Sequence, residues 1–267
     1  MSRLAISGIT AAVVSLLAIL SPHTVAAQGP ALPEPTIVLV HGAFAESASW
    51  NGVARKLLTQ GYAVVAAANP LRGVKPDSEY VASIVAAIKG PVVLVGHSYG
   101  GTIISNAAST NGNVKALVFV AGFAPEAGES AADLAARFPG GTLGETLVPV
   151  ALPDGGKDLY IDQGKFHAQF AADVPEAEAR LMAATQRPVV EAALSEASAT
   201  AAWKSIPSWF IFGDLDKNIP VGAHTFMAKR ADARRTVVVK GASHVVMVSH
   251  ADAVAKIIAE AAAESQR

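Results

Sequence analysis

Ser98 lies in the pentapeptide Gly96-His97-Ser98-Tyr99-Gly100, behind the apolar run PVVLV at 91–95 and ahead of a helix-forming stretch. Small residues two positions to either side of a serine let a strand and a helix close up around it. The serine is then set on a strained turn, with Oγ clear of the backbone. Holding a non-glycine residue in such a conformation costs about 1–3 kcal/mol, so a surrounding sheet has to enforce it. A hydroxyl alone is a weak nucleophile. It needs a base, a group that orients the base, and donors for the oxyanion formed on attack. His244 follows the apolar run TVVVKG (236–241) as the base, and Asp214 and Asp216 follow SWFIFG (208–213) as two candidate orienting acids. The turn HGAF at 41–44 and the N–H of Tyr99 supply backbone donors. Those residue types in that arrangement fit nucleophilic acyl transfer through a covalent intermediate.

Such side chains meet only if their elements bring them to one rim. TIVLVHG (36–42), YAVVAAA (62–68), PVVLVGHS (91–98), VKALVFVAG (114–122), SWFIFGD (208–214) and TVVVKG (236–241) read as strands. They are nearly continuous apolar runs, as expected of parallel strands covered on both faces. Helices are expected over 49–60, 77–89, 99–109, 221–230 and 249–264, the first two closed by Gly61 and Gly90. The alternation predicts an α/β fold with a doubly wound, mainly parallel six-stranded sheet, whose ligands bind outside the carboxyl ends of the strands. Residues of about 123–206 hold no strand-like block of comparable strength. VPEAEARLMAATQ and PVVEAALSEAS within them read as helices, which predicts a helical lid inserted after the fourth strand.

Composition narrows the partners. With a formal net charge of −1, the chain has no general attraction for nucleic acid or anionic membranes. The absence of cysteine removes disulfides, thiolate nucleophiles and cysteine-based zinc sites. No HExxH, EF-hand loop, P-loop or GxGxxG pattern is present, so neither metal nor cofactor is expected. The first 27 residues join a short basic start to the apolar stretch LAISGITAAVVSLLAIL, and Val25 and Ala27 have the spacing that precedes a cleavage site. A signal peptide over 1–27 is therefore expected, cut after Ala27. That leaves a domain of 28–267 in the periplasm or secreted, without stable membrane insertion.

The blocks VLVHGAF, VVLVGHSYGG, FVAGFAP, GDLDKNIP and VVVKGASH together resemble the alpha/beta hydrolases. Within them the chain is similar to the plant methyl-esterase and hydroxynitrile-lyase group, over nearly the whole mature chain apart from the lid. The resemblance implies a triad of Ser98, Asp216 (rather than Asp214) and His244, with Ala43 and Tyr99 as the oxyanion backbone donors. Two positions depart from the lyase branch. Lyases carry threonine where this chain has Gly42, and lysine after the histidine where it has Val245. Without that lysine, departing cyanide has no charge to stabilise it, which favours the esterase-like branch.

The expected activity is hydrolysis of small to medium carboxylic esters, with perhydrolase or haloperoxidase-like chemistry or lactone opening as alternatives on the same triad. A non-catalytic binder on a hydrolase scaffold is the alternative of a different class. Phe44 and Phe123, beside the active edge, are expected to wall the substrate pocket, and the lid aromatics Phe138, Phe166, Phe170 and Trp203 to be core. Of the other histidines, His41 is expected to order the oxyanion turn and His97 to pack behind the elbow. His250 reads as structural, and His167 and His224 as surface residues.

Overall fold

The computed structural model describes residues 34–266 together with Met1, and the expected leader at 1–27 lies outside the described residues. The chain runs β1 (Thr36–Val40), α1 (Asn51–Thr59), β2 (Val64–Ala67), α2 (Val74–Ala86), β3 (Val92–His97), α3 (Tyr99–Ala107) and β4 (Val114–Val120). The inserted segment holds α4 (Ala131–Ala136), β5 (Leu147–Ala151), β6 (Lys157–Ile161), α5 (Gln163–Phe170), α6 (Glu176–Thr185), β7 (Val189–Val190) and α7 (Glu191–Ser195). The chain then returns through β8 (Ser208–Gly213), α8 (Val221–Arg230), β9 (Arg235–Val239), α9 (Val246–Ser249) and α10 (Ala251–Glu264).

Six strands form one parallel sheet in the order β2-β1-β3-β4-β8-β9. Every residue of β3 is buried, as are all but Lys115 in β4, and this is why these strands read as unbroken apolar runs. The chain steps one way from β1 to β2 and the other way from β3 to β4. Right-handed crossovers therefore put α1 on one face and α2 and α3 on the other. α10 packs against α1, β4 and β8, while α2 packs against α3. The reversal falls between β1 and β3, and the crevice outside their carboxyl ends is where such sheets bind ligands. Among the described residues no helix is long and apolar enough to cross a membrane.

The inserted segment differs from a purely helical lid. β5, β6 and β7 form a small antiparallel sheet, and PVVEAALSEAS contributes a two-residue strand and the five-residue α7 rather than one helix. The β5–β6 hairpin turns through Leu-Pro-Asp-Gly-Gly at 152–156. There Gly155 takes φ +87°, and Asp154 Oδ1 accepts the Gly156 N–H at 3.0 Å. Pro149 is tolerated because β5 is an edge strand. The lid is tied to the sheet domain by Glu196, whose carboxylate accepts the N–H groups of Val74 and Lys75 at 2.7 and 2.9 Å. Gly73 precedes α2 and has no side chain to cap it, so an acid from the lid fills the role at the positive helix end.

Candidate active site

β3 ends in His97, and Ser98 sits between it and α3 with φ 53° and ψ −123°, a conformation that L-residues rarely adopt. The turn closes because its flanks are glycine. A Cβ on Gly100 would stand 2.5 Å from Val40 O, and one on Gly101 2.3 Å from Phe123 O. Ser98 O accepts the N–H groups of Gly101 (2.9 Å) and Phe123 (3.0 Å), which fastens the elbow to α3 and to the segment after β4. The positive end of α3 lies directly behind Ser98.

The two candidate donors are on adjacent turns: a Cβ on Gly42 would be 2.6 Å from Ser98 Cβ and 3.1 Å from Tyr99 N. Neither the Ala43 N–H nor the Tyr99 N–H bonds to another backbone or side-chain group among the described residues. His41 holds the Gly42 turn, its Nδ1 donating to the Gly42 carbonyl at 2.9 Å. Asn69 Nδ2 donates to His41 O at 2.9 Å. The Tyr99 phenol points elsewhere and donates to Asp77 Oδ2 at 3.0 Å.

Asp216 and His244 meet at the far side of the same rim. His244 Nδ1 donates to Asp216 Oδ2 at 2.7 Å, and both side chains are fully buried. The phrase Asp-Lys-Asn-Ile-Pro builds this acid locally. Asp216 Oδ1 accepts the N–H groups of Asn218 (2.8 Å) and Ile219 (3.0 Å), and Pro220 then starts α8. Burial alone would raise the Asp216 pKa, but His244 and His224 outweigh it and hold the carboxyl well below the usual carboxylate range. Asp214 does not reach His244; it accepts the Gly241 N–H at 2.6 Å and shapes the loop after β9. That loop folds across the end of β8, where a Cβ on Gly213 would be 2.1 Å from Ala242 O and 2.8 Å from Ser243 O.

His97 joins the two halves. Its Nε2 donates to His244 O at 3.3 Å and its ring lies 4.8 Å from the His244 ring. His244 Nε2 is buried and has no hydrogen-bond partner among the described residues.

Ser98 opens on a cavity of about 300 Å³ walled by Ala43, Phe44, Tyr99, Phe123, four alanines of α4, and Leu143, Leu147 and Leu194 of the lid. No charged side chain among the described residues lines it. Phe44 has φ +61° and donates its N–H to Arg187 O at 2.9 Å. It also walls a second cavity of about 310 Å³, which Ser98 does not reach.

The structure departs from the sequence reading at His224 and adds unforeseen contacts at Phe170, which is core as expected. His224 is not a surface residue: it is fully buried, and its Nε2 donates to Asp216 Oδ2 at 3.0 Å. Phe170 is core, yet its ring stands 5.1 Å from that of His244 and 6.1 Å from that of Phe44. Its position on α5 gave no sign of this, since contact with the rim depends on how the lid folds back. Among the described residues no cluster of three or more ligating side chains could hold a metal ion.

The alpha/beta hydrolase family profile matches residues 37–257, and the chain belongs to that family. It is 26% identical over 253 residues to the alpha/beta hydrolase nvfD of Aspergillus novofumigatus (strain IBT 16806), covering 87% of this chain and 98% of that one. Its fold is similar to that of polyneuridine aldehyde esterase, with a TM-score of 0.74, 21% identity, and coverage of 85% of this chain and 99% of the other. A pyrethroid hydrolase from Sphingobium faniae JZ-2 gives a TM-score of 0.68 at 22% identity, covering 86% and 97%. This is a hydrolase of the alpha/beta class, with a fold similar to that of polyneuridine aldehyde esterase.

Proposed function

We propose that this protein is an exported serine hydrolase that cleaves carboxylic esters of small to medium, uncharged substrates. The observation that carries the reading is the buried Asp216–His244 pair, whose imidazole keeps a free Nε2 on the rim where Ser98 is held in a strained elbow. In this reading His244 Nε2 takes the Ser98 proton as Oγ attacks the ester carbonyl. Asp216 holds the ring in the Nδ1–H form and stabilises its charged state. The oxyanion takes the free N–H groups of Ala43 and Tyr99. The alcohol leaves with the proton from His244, and water reverses the sequence to release the acid.

The apolar cavity supports an uncharged acyl group, because a carboxylate or ammonium placed there would lose its hydration without a partner. Lyase chemistry has little to work with. A threonine at Gly42 would collide with the elbow, and Val245, where lyases have lysine, is buried and apolar. The structural neighbours, an esterase and a pyrethroid hydrolase, favour the same reaction class.

The test is Ser98→Ala with p-nitrophenyl butyrate as substrate and a fluorophosphonate probe. Loss of both turnover and labelling is expected, with the thermal midpoint unchanged; retained turnover sinks the triad. Export is tested by N-terminal sequencing of the protein from its native host. A mature chain beginning at Gln28 outside the cytoplasm is expected, and a full-length cytoplasmic chain overturns it.

A further inference from the structure

We propose that His224 is a positioning residue: a neutral N–H donor that fixes Asp216 and widens towards acid the pH range in which His244 acts as a base. The proposal rests on the Ser98–His244–Asp216 reading above.

Asp216 Oδ2 receives both His224 Nε2 at 3.0 Å and His244 Nδ1 at 2.7 Å, while Oδ1 receives two backbone N–H groups. The acceptor capacity of the carboxylate is thereby filled. Two rings can donate to one oxygen only if each carries its proton on the nitrogen that faces it. For His224 this leaves Nδ1 bare, and Nδ1 is buried with no partner among the described residues. The ring is stacked on Phe212 at 4.5 Å and 13°, and a half-turn about Cβ–Cγ within that stack would put Cε1, not Nδ1, where Nε2 now stands, so Nε2 is the nitrogen that serves Asp216. Burial pushes its protonation below the ordinary value, consistent with a ring that stays uncharged.

A neutral donor spreads the charge of the carboxylate without adding a positive charge of its own. Asp216 then remains ionised and aligned, but favours an imidazolium at His244 less than an undivided carboxylate would. The titratable groups facing this pair are Asp216 itself, His244 and His97, whose ring is 4.8 Å from His244. Among the described residues no lysine or arginine is ion-paired with Asp216. Among the described residues, the only side chain that shares the carboxylate with His244 is therefore His224.

The experiment compares pH profiles of kcat/KM on p-nitrophenyl butyrate for the wild type, His224→Phe and His224→Gln. Phenylalanine keeps the stack on Phe212 and removes the donor, whereas glutamine restores an N–H donor and removes the ring. The acid limb of His224→Phe should move up by about half to one pH unit, and His224→Gln should return it to the wild-type position. A His224→Phe profile superimposed on the wild type, or a glutamine variant displaced as far as the phenylalanine one, overturns the proposal. ¹⁵N NMR of histidine-labelled wild type at pH 7.5 tests it without any variant: a neutral His224 protonated on Nε2 is expected, and a charged or Nδ1-protonated ring overturns it. Turnover by Ser98→Ala would discard the triad itself, whereas these outcomes discard only the role of His224.

Discussion

At the rim of the sheet, each side chain that could react is fixed by hydrogen bonds and close backbone approach. Asp216 is held by two N–H groups and two imidazoles, His41 by its own turn, and Ser98 by the backbone of its elbow. The face that the lid turns to the same cavity is built differently, from alanines of α4, glycines 141 and 144 and three leucines. Its polar ties to the sheet domain come from residues that do not line the cavity: Glu196 on α2, Asp158, which pairs with Arg72 at 2.7 Å, Gln169 on Asn218, and the Arg187 carbonyl on the Phe44 N–H. On the proposed function, chemistry would sit in a tightly bonded scaffold and selection in a surface made mainly of volume. Substitutions at the rim should cost orders of magnitude whatever the substrate, and substitutions in the lid should cost little and only for some substrates.

The sharpest way to break that contrast is at the acid. Asp216→Asn leaves the shape of the site but favours the wrong His244 tautomer, and should lower kcat by about 10⁴-fold. Asp214→Asn removes only one bond to the loop after β9 and should stay within about tenfold of wild type. Comparable losses for the two variants would mean that the rim is not divided as the hydrogen bonds suggest.

Acid stability sharpens the same contrast, because the rim buries neutral imidazoles. Burial, only partly offset by the bond to Gly42, holds His41 down to about 4 from an ordinary 6.5, which corresponds to roughly 3 kcal/mol. Burial lowers His97 and His224 as well. The unfolded chain binds protons at these positions from about pH 6.5 downward while the folded rim does not. Stability should therefore be full above that value and fall steadily towards pH 4. Below about 3.8 the depressed Asp216 adds a second loss, since it is ionised in the fold when its unfolded counterpart is not. A thermal midpoint measured from pH 8 to 4 should fall with falling pH, and a flat curve over 6.5–4 would sink the claim.

How much of this was legible in the sequence follows the same division. The central strands β1, β3, β4 and β8 were legible because burial on both faces removes alternation, the partly exposed edge strands β2 and β9 only through their runs of valine, and the elbow because its glycines are forced by backbone contacts under 3 Å. Asp-Lys-Asn-Ile-Pro singled out its acid only through family resemblance; the physical reason, two N–H groups on Oδ1, needed coordinates. His224 escaped notice because one histidine on a helix looks like a surface residue until its partner, eight residues back, is placed under it. The lid hairpin escaped because Pro149 interrupts its first strand, although Pro-Asp-Gly-Gly already signalled the turn.

Gly213 probes the rim without touching a reacting group. Gly213→Ala would place a methyl 2.1 Å from Ala242 O, so the loop carrying His244 must shift. A displacement of about 1 Å is enough to cost on the order of 10²-fold in kcat. Turnover should fall by that much with KM little changed, and unchanged turnover would show that the rim has slack after all.

The smallest expected effect lies in the lid. Ala135 on α4 faces the cavity, and Ala135→Phe would fill part of its roughly 300 Å³ with a ring. Ser98, the two donor N–H groups and the His244–Asp216 pair remain where they were, so p-nitrophenyl acetate should be hydrolysed within about twofold of the wild-type rate. Removing space for several methylenes should lower kcat/KM for p-nitrophenyl octanoate by about tenfold, the low end of what apolar pockets discriminate. A parallel loss on both esters would mean that α4 supports the rim rather than merely shaping the space above it. An unchanged octanoate rate would place the acyl chain elsewhere, with the second cavity behind Phe44 as the next site to fill.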